Sequence, residues 1–278
     1  MLWKEMVLIY LGWGLNWVVM KLAAGCFPPA FYVSVRFGLG GAVLLLFGML
    51  NHYPQPERKC WPWIVAAGIL QVTLCNLAVQ ISIKTLDAGM VSVLNYSMPL
   101  WVSLLAYFFL GESLSFRKIG GILLSFAGLA ILMGVSASGD LSALLLGLLS
   151  GVLWAGANII YKLKMTGQNM LTVTGWQMSS GAVPLFLYYL LTPQEPVIWN
   201  FTAVWTLLFG IFIPSAYIQY LWNIVLRHAE AGKASTALLA VPAVSVAGGI
   251  IFLGEIPTLQ TLIGMIMIMA GIVIVETE

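Results

Sequence analysis

The chain has 278 residues and a net charge of +2; 61% of it is hydrophobic and only 8% is charged. Ordinary soluble domains carry roughly 25% charged residues, so this chain lacks the polar surface to be soluble and is read as an integral membrane protein. The small net charge points to no nucleic-acid partner, and Cys26, Cys60 and Cys75 show no metal or redox spacing, so they are expected to be unpaired.

Apolar runs of about 17–25 residues suit a membrane span. Ten of them are found, over 5–24, 29–50, 62–84, 88–110, 117–136, 142–164, 169–192, 203–226, 233–253 and 258–275. Asn16 and Lys21 interrupt the first run and no small-residue cleavage site follows it, so it is expected to stay as a span and not to leave as a signal peptide. The connections are short and hold no soluble domain. With the first residues in the cytoplasm, nine cations (Lys4, Arg58, Lys59, Arg117, Lys118, Lys162, Lys164, Arg227, Lys233) fall at cytoplasmic ends, against Lys21 and Lys84 opposite. The excess of Lys and Arg on one side predicts that both termini are cytoplasmic.

The segment Ala88 to Ile131 occurs twice. Shifted by 143 residues it matches Ala231 to Ile274 at 12 of 44 positions without a gap, including Pro99/Pro242 and Phe109-Leu110-Gly111-Glu112/Phe252-Leu253-Gly254-Glu255. Apolar composition alone would not align proline, Gly-Glu and further glycines. Earlier in the chain the shift is 141, pairing Trp13 with Trp154, Lys21 with Lys162 and Arg36 with Gln177. Each copy holds five runs, an odd number, so the second copy enters the membrane from the other side. The expected fold is an all-α integral membrane protein of ten transmembrane helices in two inverted five-helix repeats, 1–138 and 139–278, a plan typical of secondary transporters.

Within this frame a few residues could carry chemistry. Pro99 and Pro242 lie mid-span and deprive the carbonyls of Asn95 and Leu238 of a helical partner; a packing kink and a cavity-lining break are both open readings. The amides Asn76 and Gln80 in the third run, and Gln219 and Asn223 in the eighth, are i, i+4 pairs on one face and superpose under the 143 shift. They serve either as hydrogen bonds between helices or as a solute site lined from both halves. Trp13, Asn16, Trp17 and Lys21 in the first run join the same candidate site, with Asn95, Tyr96 and Trp101 in the fourth and Trp154, Asn158 and Tyr161 in the sixth. For each aromatic residue, packing remains the alternative. Arg36 is the one charge well inside a span, a functional candidate by its cost there, with snorkelling as its plainer explanation. Glu112, Glu255 and Gln177 complete a structural or gating set with Arg36 and the two prolines. No carboxylate sits inside a span, and no catalytic, metal or phosphate-binding motif occurs. No enzyme activity and no cofactor are therefore expected.

Taken together, Trp13-Gly14-Leu15-Asn16-Trp17 with Lys21, then Arg36, then Pro99 with Leu110-Gly111-Glu112, and in the second half Pro242 with Leu253-Gly254-Glu255, Gly264 and Gly271, resemble the drug/metabolite transporter superfamily, specifically its EamA-type exporters. The resemblance covers nearly the whole chain. It implies a central cavity between the halves and export of amino acids or similar small metabolites, with the aromatic-rich spans similar to those of aromatic amino acid exporters. The expected protein is a secondary transporter of the inner (cytoplasmic) membrane, working by alternating access, with the lipid bilayer and a small solute as partners. A broad drug exporter is the alternative within transport; a membrane enzyme or assembly factor is the alternative outside it.

Overall fold

The computed structural model describes residues 3–111, 115–135, 140–228, 238 and 240–276, and among these the chain is entirely helical, without strands. Helix α1 spans Trp3–Ala24 and α2 spans Pro29–Leu50. The third apolar run forms α3 (Trp61–Gly68), a π-helical turn (Ile69–Cys75) and α4 (Asn76–Thr85) in unbroken succession. The fourth is divided into α5 (Ala88–Asn95) and α6 (Met98–Leu110). Then come α7 (Phe116–Val135), α8 (Leu141–Lys164) and α9 (Met170–Leu191). The eighth run repeats the third, as α10 (Phe201–Gly210), a π turn (Ile211–Tyr217) and α11 (Ile218–His228). Helix α12 (Ala240–Gly248) runs into a third π segment (Gly249–Leu253), and α13 covers Leu259–Glu276.

Local chemistry sets the ends. The side chains of Asp140, Asn169 and Asn200 accept backbone N–H bonds at the starts of α8, α9 and α10, supplying partners for donors that a helix start leaves open. Pro29 opens α2, where its missing N–H costs nothing. Gly111 (φ 69°) and Gly254 (φ 67°) end α6 and the third π segment in the left-handed region. The duplicated Leu-Gly-Glu is therefore a helix stop. Glu112 lies outside the described residues.

Pro99 does more than kink its span. The helix stops at Asn95, Tyr96 and Ser97 make a turn, and α6 restarts with Pro99 in its first turn. The freed Leu94 carbonyl accepts from both the N–H (3.3 Å) and the hydroxyl (2.6 Å) of Ser97. Pro242 likewise sits in the first turn of α12, where the Val241 N–H donates to the Leu238 carbonyl at 2.9 Å.

Among the described residues six helical stretches are long and apolar enough to cross a membrane, Lys4–Ala24, Pro29–Leu50, Arg58–Thr85, Ala88–Phe109, Leu141–Lys164 and Phe201–Trp222, with shorter apolar helices at Ala240–Leu253 and Leu259–Val275. This is a multi-pass membrane protein. Its outer surface carries exposed Leu50, Phe108, Leu191, Phe201 and Ile251, apolar side chains that lipid accepts.

Lipid tails give no hydrophobic drive for one helix to join another, so close packing and interhelical hydrogen bonds must hold the bundle. Glycine supplies the closeness. Helix α2 packs on α9 with Gly41 facing the Gly175 carbonyl, and α7 packs on α13 with Gly128 facing the Gly264 carbonyl; an added Cβ at either site would come within 2.8 Å of that oxygen. Gly68 and Gly181 bring α3 and α9 into backbone contact. Gly147 and Gly151 let α8 approach the α5–α6 break, where Gly151 faces the Leu94 and Asn95 carbonyls.

Candidate solute cavity

A cavity of about 210 Å³ lies among α1, α2, the two π-turn helices, α5, α8 and α9. Its polar lining includes Asn16, Gln71, Asn76, Asn95, Asn158, Gln177, Gln219 and Arg36, interleaved with the aromatic lining of Trp13, Trp17, Tyr96, Trp154, Tyr161 and Trp222. No Asp or Glu is among the lining residues.

The π turns put several of these groups in place. A π turn carries one more residue per turn than an α turn. In an ordinary helix Gln71 and Asn76, five apart, would point in different directions. At the end of the π turn Ile69–Cys75, Asn76 Nδ2 reaches back five residues to donate to the Gln71 backbone carbonyl at 2.7 Å. Gln177 Nε2 then donates to the Gln71 side-chain oxygen, so the amides of α9 and the first π turn join in one chain. Pro214 sits inside the second π turn, and its carbonyl accepts from Trp13 Nε1 at 3.2 Å.

Three amides rest on sulfur. Asn16 donates to Met20 Sδ (3.1 Å) and Asn158 to Met98 Sδ (2.9 Å), while Asn95 shares its donors between Cys75 Sγ (3.7 Å) and Ser150 Oγ (2.8 Å). Thioether and thiol sulfurs are weak acceptors, so these amides stand in a polar but loosely committed wall. Asn16 Oδ1 is buried without any partner. The rings are held edge to face, Trp17 on Tyr96 (centroids 6.4 Å apart) and Tyr96 on Trp154 (5.8 Å), with Trp13 tilted on Trp222 at 5.8 Å. Arg36 donates from Nε to Ser215 Oγ in the second π turn (3.0 Å) and lies over the Phe37 ring at 4.8 Å.

Of the residues singled out in the sequence, Trp13, Asn16, Trp17, Arg36, Asn76, Asn95, Tyr96, Trp154, Asn158, Tyr161, Gln177 and Gln219 border the cavity. The others lie elsewhere. Gln80 is one turn beyond Asn76, past the point where α1 closes on α4, and donates to the Met20 carbonyl at 3.2 Å. Trp101 bonds Ser97 Oγ (3.1 Å) and packs on Phe126 in a separate crevice of about 10 Å³. Pro99 and Pro242 are not among the residues lining this cavity; they lie in the first turns of α6 and α12. The side chain of Asn223 is outside the described residues. Gln71, Cys75, Thr174, Pro214 and Trp222 also line it, among further apolar side chains. Gln71 had a signal, an amide in mid-run, but its i, i+5 relation to Asn76 has no meaning in an α-helical reading.

Lys21 and Glu255 belong to a different place. Lys21 Nζ donates to the Leu86 carbonyl (2.6 Å) at the end of α4. The Glu255 carboxylate accepts the Ala88 N–H (2.7 Å) and, less closely, the Gly89 N–H (3.4 Å). It thereby caps α5 in place of Asp87, whose own side chain makes no capping bond. Ser245 Oγ donates to the Ala88 carbonyl at 3.4 Å. These contacts tie α1, α4, α5 and α12 together at one end of the bundle. The cavity lies inward of these contacts, lined by Trp13, Asn16, Trp17 and Met20 of α1, the C-terminal half of α8 and the N-terminal half of α9. Burial pushes the Glu255 carboxyl above its ordinary range, against the lowering effect of the Ala88 N–H; nearby Asp87 adds to the rise, and the Gly89 N–H and Lys21 oppose it. Among the described residues no group of three or more His, Cys, Asp or Glu could hold a metal.

A polytopic helical protein with an amphipathic cavity walled by amides and aromatic rings has the architecture of a membrane carrier. The chain belongs to the EamA-like transporter family, whose profile matches residues 5–134 and again 141–277. It is similar to the uncharacterized transporter YvbV of Bacillus subtilis (27% identity, covering 96% of this chain and 88% of that protein). It is also similar to a probable amino-acid metabolite efflux pump of Salmonella typhimurium (25% identity, 96% of this chain, 92% of that one). A solved crystal structure, 20% identical, shares the fold with a TM-score of 0.68 over 98% of this chain and 94% of its own. The protein is a transporter of small solutes and not an enzyme.

Proposed function

We propose that this transporter exports a small amphipathic metabolite, in the first instance an amino acid, from the cytoplasm by alternating access between two inverted five-helix units, 1–138 and 139–278. The observation that carries the reading is the cavity itself. Amides and a cation are interleaved with aromatic rings around it, a lining suited to a solute with both polar and apolar parts. Its volume of about 210 Å³ falls below the roughly 300–1,000 Å³ of pockets for drug-sized ligands, which favours a metabolite over a bulky drug. The similarity to the probable amino-acid metabolite efflux pump of Salmonella typhimurium supports that cargo.

The two-unit plan draws support from several pairings. The family profile matches twice. Helices α2 and α9, from corresponding places in the two copies, pack on each other, as do α7 and α13. Thr73 in the first π turn donates to the Gly181 carbonyl (2.6 Å), while Ser215 in the second lies against Gly40; Thr73 and Ser215 are 142 residues apart, and Gly40 and Gly181 are 141 apart. The excess of Lys and Arg supports cytoplasmic termini in the inner membrane. In that orientation the contacts of Lys21 and Glu255 close the outer end.

The test is counterflow of a panel of amino acids into liposomes carrying the purified protein. Asn76→Leu combined with Gln219→Leu is expected to cut flux at least tenfold, from the loss of two polar contacts of about 1 kcal/mol each. Wild-type flux in that variant would show that the cavity is not the route. Movement of bulky cations alone would favour a drug exporter.

A further inference from the structure

We infer that the cavity takes its solute as a carboxylate anion, with the Arg36 guanidinium as anchor for the carboxylate and the aromatic lining as seat for the apolar body. The inference rests on the export reading and deepens it by naming the charge of the cargo.

Three observations carry it. Arg36 is only 6% exposed and borders the cavity, and its Nε donates to Ser215 Oγ. The fully buried Tyr32 hydroxyl lies beside its stem as a second polar neighbour. A guanidinium has five N–H donors in a fixed fork; even with Tyr32 counted, most of them are uncommitted. Secondly, no countercharge is at hand. No carboxylate lines the cavity, and no ion pair among the described residues includes Arg36. A cation taken out of water without a partner is costly, and a solute carboxylate would supply both the missing charge and a two-oxygen match to the fork. Thirdly, Asn16 Oδ1, in the lining of the same cavity at 6% residue exposure, is an acceptor with no donor. It offers a place for an N–H of the same solute.

The aromatic lining alone would suit an organic cation through its ring faces. Here a cation would share a small, poorly hydrated space with an uncompensated guanidinium. Like-charge repulsion in such a space outweighs ring attraction, so cations are disfavoured.

The test uses full-length protein in detergent and four probes with one ring and different charge: L-phenylalanine, 3-phenylpropanoate, L-phenylalaninamide and 2-phenylethylamine. Calorimetry gives affinities, and release from preloaded proteoliposomes gives flux. The two carboxylates should bind at least tenfold more tightly than the two cations. Arg36→Gln should weaken carboxylate binding by about ten- to a hundredfold and leave the cations no weaker. Arg36→Lys, which keeps the charge without the fork, should lose less. Ser215→Ala frees Nε while leaving the charge, so it should keep the preference for carboxylates and serves as the comparison if Arg36→Gln does not fold. Equal binding of amine and acid, loss of the preference in Ser215→Ala, wild-type carboxylate affinity in Arg36→Gln, or no binding of any probe would each overturn the inference. Carboxylates that bind through Arg36 but are never released would uphold it and sink the export reading. Release of the amine and amide alone would do the reverse.

Discussion

Glu255 offers the sharpest single perturbation, because its carboxylate caps a helix from a distant part of the chain. In Glu255→Ala the Ala88 N–H loses a 2.7 Å acceptor; the Gly89 N–H, at 3.4 Å, loses little. An unsatisfied donor costs about 1–3 kcal/mol, and the half-exposed setting lets water recover part of that, leaving ~1 kcal/mol and about a fivefold rise in opening at this end. Glu255→Gln behaves differently. It keeps an acceptor oxygen while removing a charge that burial disfavours, so at neutral pH it should hold α5 as well as the native residue or better. The same argument sets the pH dependence. The carboxyl is raised in this state above the ordinary 4.5, so the closed end binds a proton more readily than an open, hydrated one. Its contribution is fully present below the ordinary value and is lost as pH rises through the raised one. Hydrogen exchange of peptides covering Leu86–Ser92, read by mass spectrometry in lipid nanodiscs, measures all three proteins across pH. Native-like protection in the Ala variant would refute the cap. Equal losses in Gln and Ala would show that the charge, and not the acceptor, does the holding.

Other outcomes follow from packing. Gly181→Ala drives a methyl into the Gly68 backbone; overpacking of about 1–3 kcal/mol exceeds the ~1 kcal/mol gained in helix propensity, so the thermal midpoint in detergent should fall. Gly120→Ala meets nothing within 4 Å, and its midpoint should hold or rise by the propensity gain alone; a fall as large as that of Gly181→Ala would undo the packing argument. Trp101→Phe should lower stability by about 1 kcal/mol through its lost bond to Ser97 and leave amino acid counterflow unchanged, a result that flux measurements on a correctly folded variant would check.

What could be read in advance follows the range of the forces involved. The helices lie on the apolar runs because hydrophobic length is a property of consecutive residues. Asn76, Gln219, Asn16 and Trp154 were visible because a polar or aromatic group in an apolar run stands out locally. The division between cavity and closure was not visible. Lys21 and Glu255 differ from the cavity residues only in what lies across from them, Leu86 and Ala88, and those partners come from elsewhere in the chain. Gln71 and Pro214 enter the wall because a π turn changes the phase of the helix, and hydrophobic periodicity carries no mark of one inserted residue. Trp101 shows the converse: its amphipathic character was legible, but Phe126 and Ser97 had already claimed both its ring and its N–H.

The amides that rest on sulfur have a consequence for how the carrier meets oxidants. Met20 and Met98 give Asn16 and Asn158 acceptors too weak to compete with an arriving solute. Oxidation would reverse that balance. A methionine sulfoxide presents a strongly polar oxygen in place of the soft sulfur, and the neighbouring amide would then stay bonded to its own wall. The same two atoms that leave the resting cavity receptive would make it refractory, until a sulfoxide reductase restored them.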